Sequence, residues 1–564
     1  MDATDLCFTS AVELAELIRR RALSPVEITR AVLERIDRLN TRLGAYVMVH
    51  AERALAEARA AERAVMAGEP LGRLHGVPVS IKDNLWTAGN RTTFGSRLFA
   101  EFVAPEDAPS VAGLRAAGAI FVGRTNLPEF AWRGSTDNPL FGESRNPWDL
   151  TRTPGGSTGG GAAAVAAGLG PLALGSDGAG SIRIPASFCG LVGLKPTFGR
   201  VPMYPAAGGN ELAAHVCPLA RTVRDAALMM SAIARFDRRD PFAIPDDGVD
   251  YLAACDEPFA GAPGGAPARD GAPVRIAWSP DLGFAPVEPE TREIAEAAAR
   301  AFSEIGLTVE EASPELGDPS VILRTLYGGA QAGAHAARSP EQKAQMDPEL
   351  VAYAEASARL SVVEYLRAVA ARQALVEALR RFFEHYDLLL TPTICLPAFP
   401  LGVVGPTEVA GRKVTHLGWT LCYPFNYSGQ PAVSVSGRLD RKRLARRAAD
   451  RRPAPGGRAG AARRRGIRGA PPVGRPPAAA IEPPQSFATA ARATSSSCWE
   501  VPPPTPQAPS TTPLRTIGTA PWLGIMWPPS AATMPWMMGL PARSASSPLG
   551  RAKPAEAIAL PWDP

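Results

Sequence analysis

Lysine is scarce in most of this 564-residue chain, because residues 1–436 contain only four, Lys82, Lys195, Lys343 and Lys413. The seven cysteines are scattered without a C-x-x-C pair, so the sequence predicts neither a disulfide framework nor a zinc site. The long uncharged stretch 153–176 is rich in Gly, Ala, Ser and Thr rather than Leu, Ile and Phe, which argues against a transmembrane helix. The N-terminus begins with acidic residues and lacks the apolar stretch of a signal peptide. We therefore expect a cytoplasmic protein.

Charge divides the chain into two unlike parts. The whole sequence has 60 basic and 55 acidic residues, but residues 437–564 carry 19 basic and 6 acidic, while residues 1–436 carry 41 and 49. The same 128-residue tail holds 23 of the 57 prolines. The sequence thus predicts one globular domain over residues 1–436 and an Arg/Pro-rich, low-complexity tail over 437–564, for which we expect disorder.

Helical and strand-like patterns alternate along residues 1–436. Ser24 to Glu27 has the S-x-x-E form of a capping box, with proline at the first helical position, which predicts an amphipathic helix. Residues 77–82 alternate like a strand that runs into Lys82, and the Gly/Pro/Ala-rich residues 255–273 are typical of a surface loop. The interleaving indicates an α/β fold with a central mixed β-sheet flanked by helices on both faces.

Candidate catalytic groups cluster around glycines in residues 153–196. Ser157 in GGSTGG and Ser181 in DGAGSIRIPA each follow a glycine, and glycine at this density is typical of backbone that approaches a ligand closely. A serine nucleophile needs a base, and none of the six histidines lies in these motifs. Lys82 ends an apolar strand, where burial would lower its pKa, and a neutral lysine can act as a general base.

Several segments resemble the amidase signature family of serine amidohydrolases, over roughly residues 10 to 435. The matching segments are HGVPVSIKDN, TTFGS, VGRTNLPEF, PGGSTGG through GLKPTFGRVP, PLARTVRDAAL, DLLLTPT and PFNYSGQPAVSV. The resemblance implies that Lys82 is the catalytic lysine, Ser157 a bridging serine on a cis peptide, and Ser181 the nucleophile. It also implies an oxyanion hole of backbone N–H groups and a set of supporting side chains; the hole is Gly178, Ala179, Gly180 and Ser181, and the supporting residues are Asp177, Arg183 and Thr158.

The family also implies a function. We expect an amidohydrolase that cleaves a small-molecule amide to a carboxylate and ammonia or an amine through an acyl-serine, without metal or organic cofactor. We expect no nucleic-acid or membrane partner, and the sequence leaves open whether the protein forms a homodimer. Residues 204–215 and 326–365 are the candidates for the pocket walls that select the substrate. Thr158 and Ala179 stand where the family usually has serine and glycine, and Ala179 should be tolerated provided that its φ is negative.

Two other enzymatic interpretations stay open at this point. Residues 155–159 also satisfy G-x-S-x-G, the nucleophile elbow of α/β-hydrolases, which would make Ser157 the nucleophile and a histidine the base. The amidase signature is shared by the glutamine-hydrolysing subunit of tRNA-dependent amidotransferases. The segment GRVPMYPAAG differs from the form expected of that subunit, which favours a standalone enzyme.

The tail departs abruptly from the family after PAVSV. Back-translating residues 443–453 with permitted codons and dropping the first base gives GLPVGLQIVG, a segment expected at this place in the family. The sequence therefore predicts a frameshift close to Ser436 and a missing strand, which could make the polypeptide an inactive amidase. The alternative is a genuine basic tail that binds nucleic acid, but the tail lacks a binding motif and interleaved aromatic residues.

Overall fold

The computed structural model describes residues 2–206, 208–246, 248–256, 274–304 and 306–435. The predicted tail, residues 437–564, lies outside the described residues, and so do residues 257–273 of the predicted surface loop. In the part of the chain that is described, no helix is long and apolar enough to cross a bilayer.

The helices follow the predicted amphipathic segments. Ser24 caps α3 through the predicted capping box, with its side chain and that of Glu27 each accepting a backbone N–H. The α-helices are α1 (Ala3–Phe8), α2 (Ala11–Arg19), α3 (Pro25–Leu43), α4 (Ala51–Ala67), α5 (Pro109–Ala116), α6 (Gly159–Ala166), α7 (Arg183–Cys189), α8 (Val223–Ile233), α9 (Tyr251–Ala254), α10 (Pro289–Glu304), α11 (Ser320–Ile322), α12 (Gly328–His335), α13 (Pro340–Lys343), α14 (Pro348–Ser357), α15 (Val362–His385) and α16 (Tyr423–Ser428). A π-helical turn, Leu323–Tyr327, joins α11 to α12.

The strands form two larger sheets and two hairpins. They are β1 (Tyr46–Val49), β2 (Pro78–Lys82), β3 (Ile120–Thr125), β4 (Asp137–Asn138), β5 (Gly142–Glu143), β6 (Leu172–Asp177), β7 (Val192–Lys195), β8 (His215–Ala220), β9 (Arg275–Trp278), β10 (Thr308–Glu311), β11 (Leu388–Leu390), β12 (Glu408–Val409), β13 (Arg412–Lys413) and β14 (Ala432–Ser434). The larger sheet has seven strands in the order β1-β3-β2-β6-β8-β7-β14, and a second has the order β10-β9-β11.

The seven-stranded sheet is mixed, as the sequence predicts. β2 runs parallel to β3 and to β6, whereas β8 is antiparallel to both β6 and β7. Because successive side chains of a strand point to opposite faces, β6 contributes to two hydrophobic clusters. Leu172 and Leu174 pack with residues of α2, α5 and α8, while Ala173 packs with residues of α6 and α7. Helices therefore cover both faces, which confirms the predicted architecture.

The parallel strands bring the candidate site together. β2 ends at Lys82 and the adjacent β6 ends at Asp177, and parallel pairing places both carboxyl ends at one edge of the sheet. In open α/β sheets, ligands bind outside the carboxyl ends of the strands. α6 begins two residues after Ser157, and α7 begins two residues after Ser181, so both serines lie in turns that enter helices at this same region.

Candidate active site

Lys82 is fully buried at the end of β2, although it carries an amine. Its Nζ donates a hydrogen bond to Ser157 Oγ at 2.7 Å and a second to Ser176 Oγ at 3.1 Å. Both hydroxyl groups are themselves buried. The three side chains therefore form a buried polar cluster at the floor of the site.

The pKa of Lys82 falls from its ordinary value to about 7. Burial is the main cause, because it disfavours the charged ammonium form. The carboxylate of Asp177 acts in the opposite direction and raises the pKa, but it does not compensate for burial. At neutral pH a substantial fraction of Lys82 is therefore an uncharged amine with a free electron pair.

The peptide segment that carries Ser157 is tied to the loop that carries Ser181. The Gly156–Ser157 peptide bond is cis. The next residue, Thr158, donates its backbone N–H to the carbonyl of Ser181 at 3.1 Å, and its hydroxyl donates to the carbonyl of Ser176 at 3.2 Å. Thr158 thus links the two serine-bearing segments through both backbone and side chain, consistent with the supporting role expected of it.

The loop from Gly178 to Ser181 differs in one respect from the expected oxyanion hole. The backbone N–H of Gly180 donates to Asp177 Oδ1 at 2.6 Å, so this amide is committed to a carboxylate rather than to a substrate oxygen. A full negative charge next to the loop is a stronger acceptor than a neutral carbonyl. The amides of Gly178, Ala179 and Ser181 remain the candidate oxyanion donors. Ala179 is not among the residues with positive φ, so the alanine is accommodated there as expected.

Asp177 and Arg183 brace this loop from within the protein. Arg183 Nε lies 3.0 Å from Asp177 Oδ2 and Nη2 lies 3.1 Å from Oδ1, and both side chains are fully buried. Burial alone would raise the pKa of Asp177, but the adjacent guanidinium and the donors around the carboxylate hold that pKa well below its usual range. The carboxylate is therefore charged throughout the physiological range.

Three further residues of the site were not predicted from the sequence. Asn426, on α16, donates to Asp177 Oδ1 at 2.9 Å and accepts from Arg183 Nη2 at 2.5 Å. Asn84 donates to Ser176 Oγ at 3.1 Å, so Ser176 connects Lys82 to Asn84. Asn426 lies in the quoted segment PFNYSGQPAVSV, and Asn84 lies in HGVPVSIKDN, so the family match itself held the signal for both. Ser176 likewise lies in the quoted block that runs from PGGSTGG to GLKPTFGRVP.

A cavity of about 450 Å³ opens onto these groups. Ser157, Ser176 and Ser181 lie in its wall, and Ser181 is half-buried there. Both segments expected to shape the pocket contribute, residues 204–215 through Tyr204 and Asn210 among others, and residues 326–365 through α12 and the residues after it. An aromatic wall that the sequence did not predict completes the cavity, and it consists of Trp86, Phe94, Phe99, Phe102, Phe130 and Trp132.

Two aromatic residues of this wall have unusual backbone conformations. Phe94 has φ 56° and Phe130 has φ 50°, a region that bulky residues rarely adopt. The backbone N–H of Phe130 donates to the carbonyl of Phe94 at 2.8 Å, and the two rings stack with centroids 6.3 Å apart. Such backbone strain persists only where the surroundings impose it, and it concentrates at ligand sites.

The nucleophile-elbow interpretation requires a histidine base at Ser157, and the described residues place none there. Within the described ranges, the side chain bonded to Ser157 Oγ is Lys82, and no hydrogen bond joins that hydroxyl to a histidine. Ser157 is also preceded by irregular backbone rather than by a strand, which an elbow would require.

Comparison with known proteins agrees with this geometry. The amidase family profile matches residues 27–453. An acylamidase of Rhodococcus erythropolis is 38% identical over 442 residues, which cover 77% of this chain and 90% of that protein. A glutamyl-tRNA(Gln) amidotransferase subunit from Moorella thermoacetica is 38% identical over 459 residues, covering 76% and 90%. The crystal structure of a bacterial aryl acylamidase of the amidase signature enzymes has a TM-score of 0.70 at 30% identity and covers 77% of this chain and 90% of its own.

The fold and the lysine-centred serine site define a hydrolase of the amidase signature type. The chain belongs to the amidase signature family.

Proposed function

We propose that this protein hydrolyses a carboxylic amide to a carboxylate and ammonia or an amine through an acyl-Ser181 intermediate. The observation that carries the proposal is the 2.7 Å contact between Lys82 Nζ and Ser157 Oγ in a fully buried environment. The lowered pKa of Lys82, to about 7, allows the neutral amine to accept a proton near physiological pH.

In the acylation step, Ser181 Oγ attacks the amide carbonyl carbon. Its proton passes to Ser157 Oγ as the Ser157 proton passes to Lys82 Nζ, which becomes an ammonium. The carbonyl oxygen gains negative charge and is stabilised by backbone N–H groups of Gly178, Ala179 and Ser181. The carbon–nitrogen bond then breaks, and the departing nitrogen takes the proton back from Lys82 through Ser157.

In the deacylation step, water replaces the departed amine. It loses a proton to the same Ser157 and Lys82 relay while its oxygen attacks the ester carbon. Collapse of the tetrahedral intermediate returns the proton to Ser181 Oγ and releases the carboxylic acid. The relay ends in its starting protonation state, so no external oxidant, reductant or metal is needed to balance the reaction.

The amidotransferase alternative would give glutamine as the substrate and further subunits as partners. The two curated relatives named above are equally identical to this chain, so identity alone does not separate the alternatives. Release of ammonia from glutamine by the isolated chain, without turnover of simple anilides, would favour the amidotransferase function.

Trapping the acyl-enzyme tests the proposal. We expect incubation with a 4-nitrophenyl ester, followed by acid quench and peptide mapping, to place the acyl group on the Ser181 peptide. Ser181→Ala should abolish it, whereas Ser187→Ala serves as the matched control, because Ser187 is a buried serine of α7 whose hydroxyl has no hydrogen-bond partner within the described ranges. Acylation of Ser157, or acylation that persists in Ser181→Ala, would contradict the mechanism.

We also propose that the residues after about 436 are translated out of frame. β14 pairs with β7 along one edge and with no other strand among residues 2–435 that are described, and β11 is likewise an edge strand of the second sheet. Thr393 Oγ1, in the segment that follows β11, donates to Ser434 Oγ at 3.0 Å, so this segment contacts β14. The segment GLPVGLQIVG, which permitted codons allow in the other frame, alternates like a strand that would lie beside β14. The family match runs over residues 27–453 and therefore ends in the first part of the tail.

A further inference from the structure

One face of α12 forms a wall of the cavity that also contains Ser181. Gln331, Ala334, His335 and Arg338 line the cavity; the first three are spaced three and four residues apart on one side of α12, and Arg338 lies in the turn that follows the helix. The helix is therefore positioned to contact the part of a substrate that lies away from the reacting bond.

Arg338 lines the cavity and forms no ion pair with an acidic side chain among the described residues. Its guanidinium lies 5.4 Å from the centre of the Phe130 ring, and its Nε donates to His335 Nδ1 at 3.3 Å. Among the residues that the structure describes, no carboxylate lies within ion-pair distance of Arg338. Burial and the Arg338 charge lower the pKa of His335 to about 4, so the imidazole is neutral at pH 7 and acts as an acceptor. The terminal nitrogens of Arg338 are left for a ligand.

Arg133 is a second arginine that lines the cavity, and its guanidinium is paired with carboxylates. It forms ion pairs with Asp137, with Asp347 at 3.3 Å and with Glu349 at 3.0 Å. The charge of Arg133 is thus balanced by three carboxylates, whereas Arg338 has no such partner in the part of the chain that the structure describes.

Glu129 forms no ion pair with Arg338 either, although its negative charge acts to raise the pKa of Arg338, which burial lowers. The Glu129 carboxylate accepts from Ser96 Oγ at 2.5 Å and from the backbone N–H of Asp347 at 2.6 Å. Both of its oxygens are therefore occupied by other donors in the buried interior.

Gln331, on α12, supplies a second unsatisfied group in the same wall of the cavity. The residue is only 8% exposed, and its Oε1 has no hydrogen-bond partner within the described ranges. A buried polar atom without a partner is rare in folded proteins and calls for a ligand or water. Because the oxygen and nitrogen of an amide can be exchanged by a flip, Gln331 can either accept from or donate to a bound group.

We propose, on the basis of the amidase function proposed above, that the substrate is an amide bearing a carboxylate group, which Arg338 binds while Gln331 hydrogen-bonds to the same substrate. Arg recognises carboxylates through two parallel hydrogen bonds, which gives direction as well as charge. The apolar part of the substrate lies against the aromatic wall, close to Phe94 and Phe130. Arg338 and Gln331 are specificity residues and take no part in the bond-breaking steps.

Two matched pairs of amides test this inference by binding rather than turnover. Glutaryl 4-nitroanilide and pentanoyl 4-nitroanilide differ in a carboxylate on the acyl side, and 4-acetamidobenzoate and 4-methylacetanilide differ in one on the amine side. Each is titrated calorimetrically into the Ser181→Ala protein, which cannot turn it over. In at least one pair we expect the anion to bind about tenfold tighter than its neutral partner, as one charge-assisted contact provides.

Substitution of single arginines shows which residue causes the preference for the anionic amide. Adding Arg338→Met should reduce the ratio of affinities to near unity, Arg338→Lys should keep part of it, and Arg324→Met, an exposed arginine outside the cavity wall, should leave it unchanged. Equal or tighter binding of the neutral member in both pairs, or a preference that survives Arg338→Met, would overturn the inference. Failure of the amidase function would instead appear as absence of acyl-Ser181 in the wild type, with the binding preference intact.

Discussion

Asp177 and Arg183 form a buried ion pair in which both carboxylate oxygens also accept backbone N–H groups of the nucleophile loop. Gly180 N donates to Oδ1 at 2.6 Å and Ile182 N donates to Oδ2 at 3.2 Å. The pair therefore fixes the loop on both sides of Ser181. Because neither side chain lines the cavity, we expect the pair to support the site without taking part in proton transfer.

Arg183→Met should be strongly destabilising. The substitution leaves the buried charge of Asp177 without its partner, and breaking a buried ion pair costs about 3–5 kcal/mol. Urea unfolding followed by circular dichroism measures this cost. Arg221→Met, which also removes a largely buried arginine but one that hydrogen-bonds to backbone carbonyls, is the control and should cost less. Equal losses in the two variants would contradict a special role of the ion pair.

The same pair predicts the acid dependence of stability. The pKa of Asp177 is lower in the folded than in the unfolded protein, so its contribution is fully present above the unfolded value and is lost as pH falls through the folded value. The wild type should therefore lose more free energy of unfolding than Asp177→Asn when pH is lowered from about 6 to about 3. Parallel curves for the two proteins would exclude Asp177 as a contributor.

The rate of amide hydrolysis should rise with pH through a single ionisation near 7. Lys82 must be neutral to accept a proton, and its pKa is lowered by burial to about 7. A profile of kcat/KM against pH, measured with a neutral anilide, locates this ionisation. Lys82→Arg, which cannot lose its proton, should lower kcat by about 10²- to 10⁴-fold. A pH-independent rate, or an active Lys82→Arg variant, would be incompatible with a lysine base.

Gly180→Ala should disable the nucleophile loop. Gly180 has φ +121°, and an added Cβ would lie 2.8 Å from the Cys422 Cβ and 2.9 Å from the Ile184 Cδ1. Gly89→Ala is the matched control, because Gly89 also has positive φ but its added Cβ meets nothing within 4 Å. Each substitution should cost about 1 kcal/mol of backbone strain, and Gly180→Ala about 1–3 kcal/mol more from crowding. Denaturation midpoints and acylation rates separate the two, and equal effects would show that contact with Cys422 and Ile184 is unimportant.

Restoring the alternative frame after Val435 should stabilise the domain. A restored GLPVGLQIVG segment would add a strand beside β14 and bring further apolar side chains into the domain. We expect a higher urea midpoint and a larger m value for the restored chain than for the chain in its present reading frame. A chain that ends at residue 435 is the control for loss of the tail alone. Sequencing that confirms the present frame in independent isolates, or a restored chain no more stable than the truncated one, would contradict the frameshift.

Nucleic-acid binding by the basic tail is the alternative to the frameshift hypothesis. If the Arg-rich segment were a nucleic-acid-binding tail, the full chain would bind duplex DNA with an affinity that falls steeply with salt, and the chain ending at residue 435 would not. Absence of such binding at low salt is the result that an out-of-frame tail predicts.

The sequence predicts the local parts of this molecule well, because they depend on neighbours in the chain. The capping box of α3 joins residues three apart, and the strand that ends in Lys82 follows from alternating apolar residues. The positions of Lys82, Ser157 and Ser181 within motifs also identify them as candidates from residue types alone. The Lys82 to Ser157 contact spans 75 positions, and only the family resemblance suggested it.

The parts that escaped sequence analysis depend on long-range geometry. Asn426 hydrogen-bonds to Asp177 although the two residues are 249 positions apart in the chain, and no local sequence pattern at either residue predicts this contact. The aromatic wall brings together residues from before and after β3, and its members share no periodic pattern. The commitment of the Gly180 N–H to Asp177 depends on the rotation of one peptide plane, which residue types do not specify.

Labelling with a fluorophosphonate serine probe tests the central claim most directly, since the probe reports both the nucleophile and its activation. We expect the label on the Ser181 peptide by mass spectrometry, with an inactivation rate that rises through pH 7, as the lowered pKa of Lys82 requires. The label should vanish in Ser181→Ala, slow strongly in Lys82→Met and Ser157→Ala, and persist in Ser187→Ala. Label on Ser157, or labelling of Ser181 at an undiminished rate in Lys82→Met, would contradict the account.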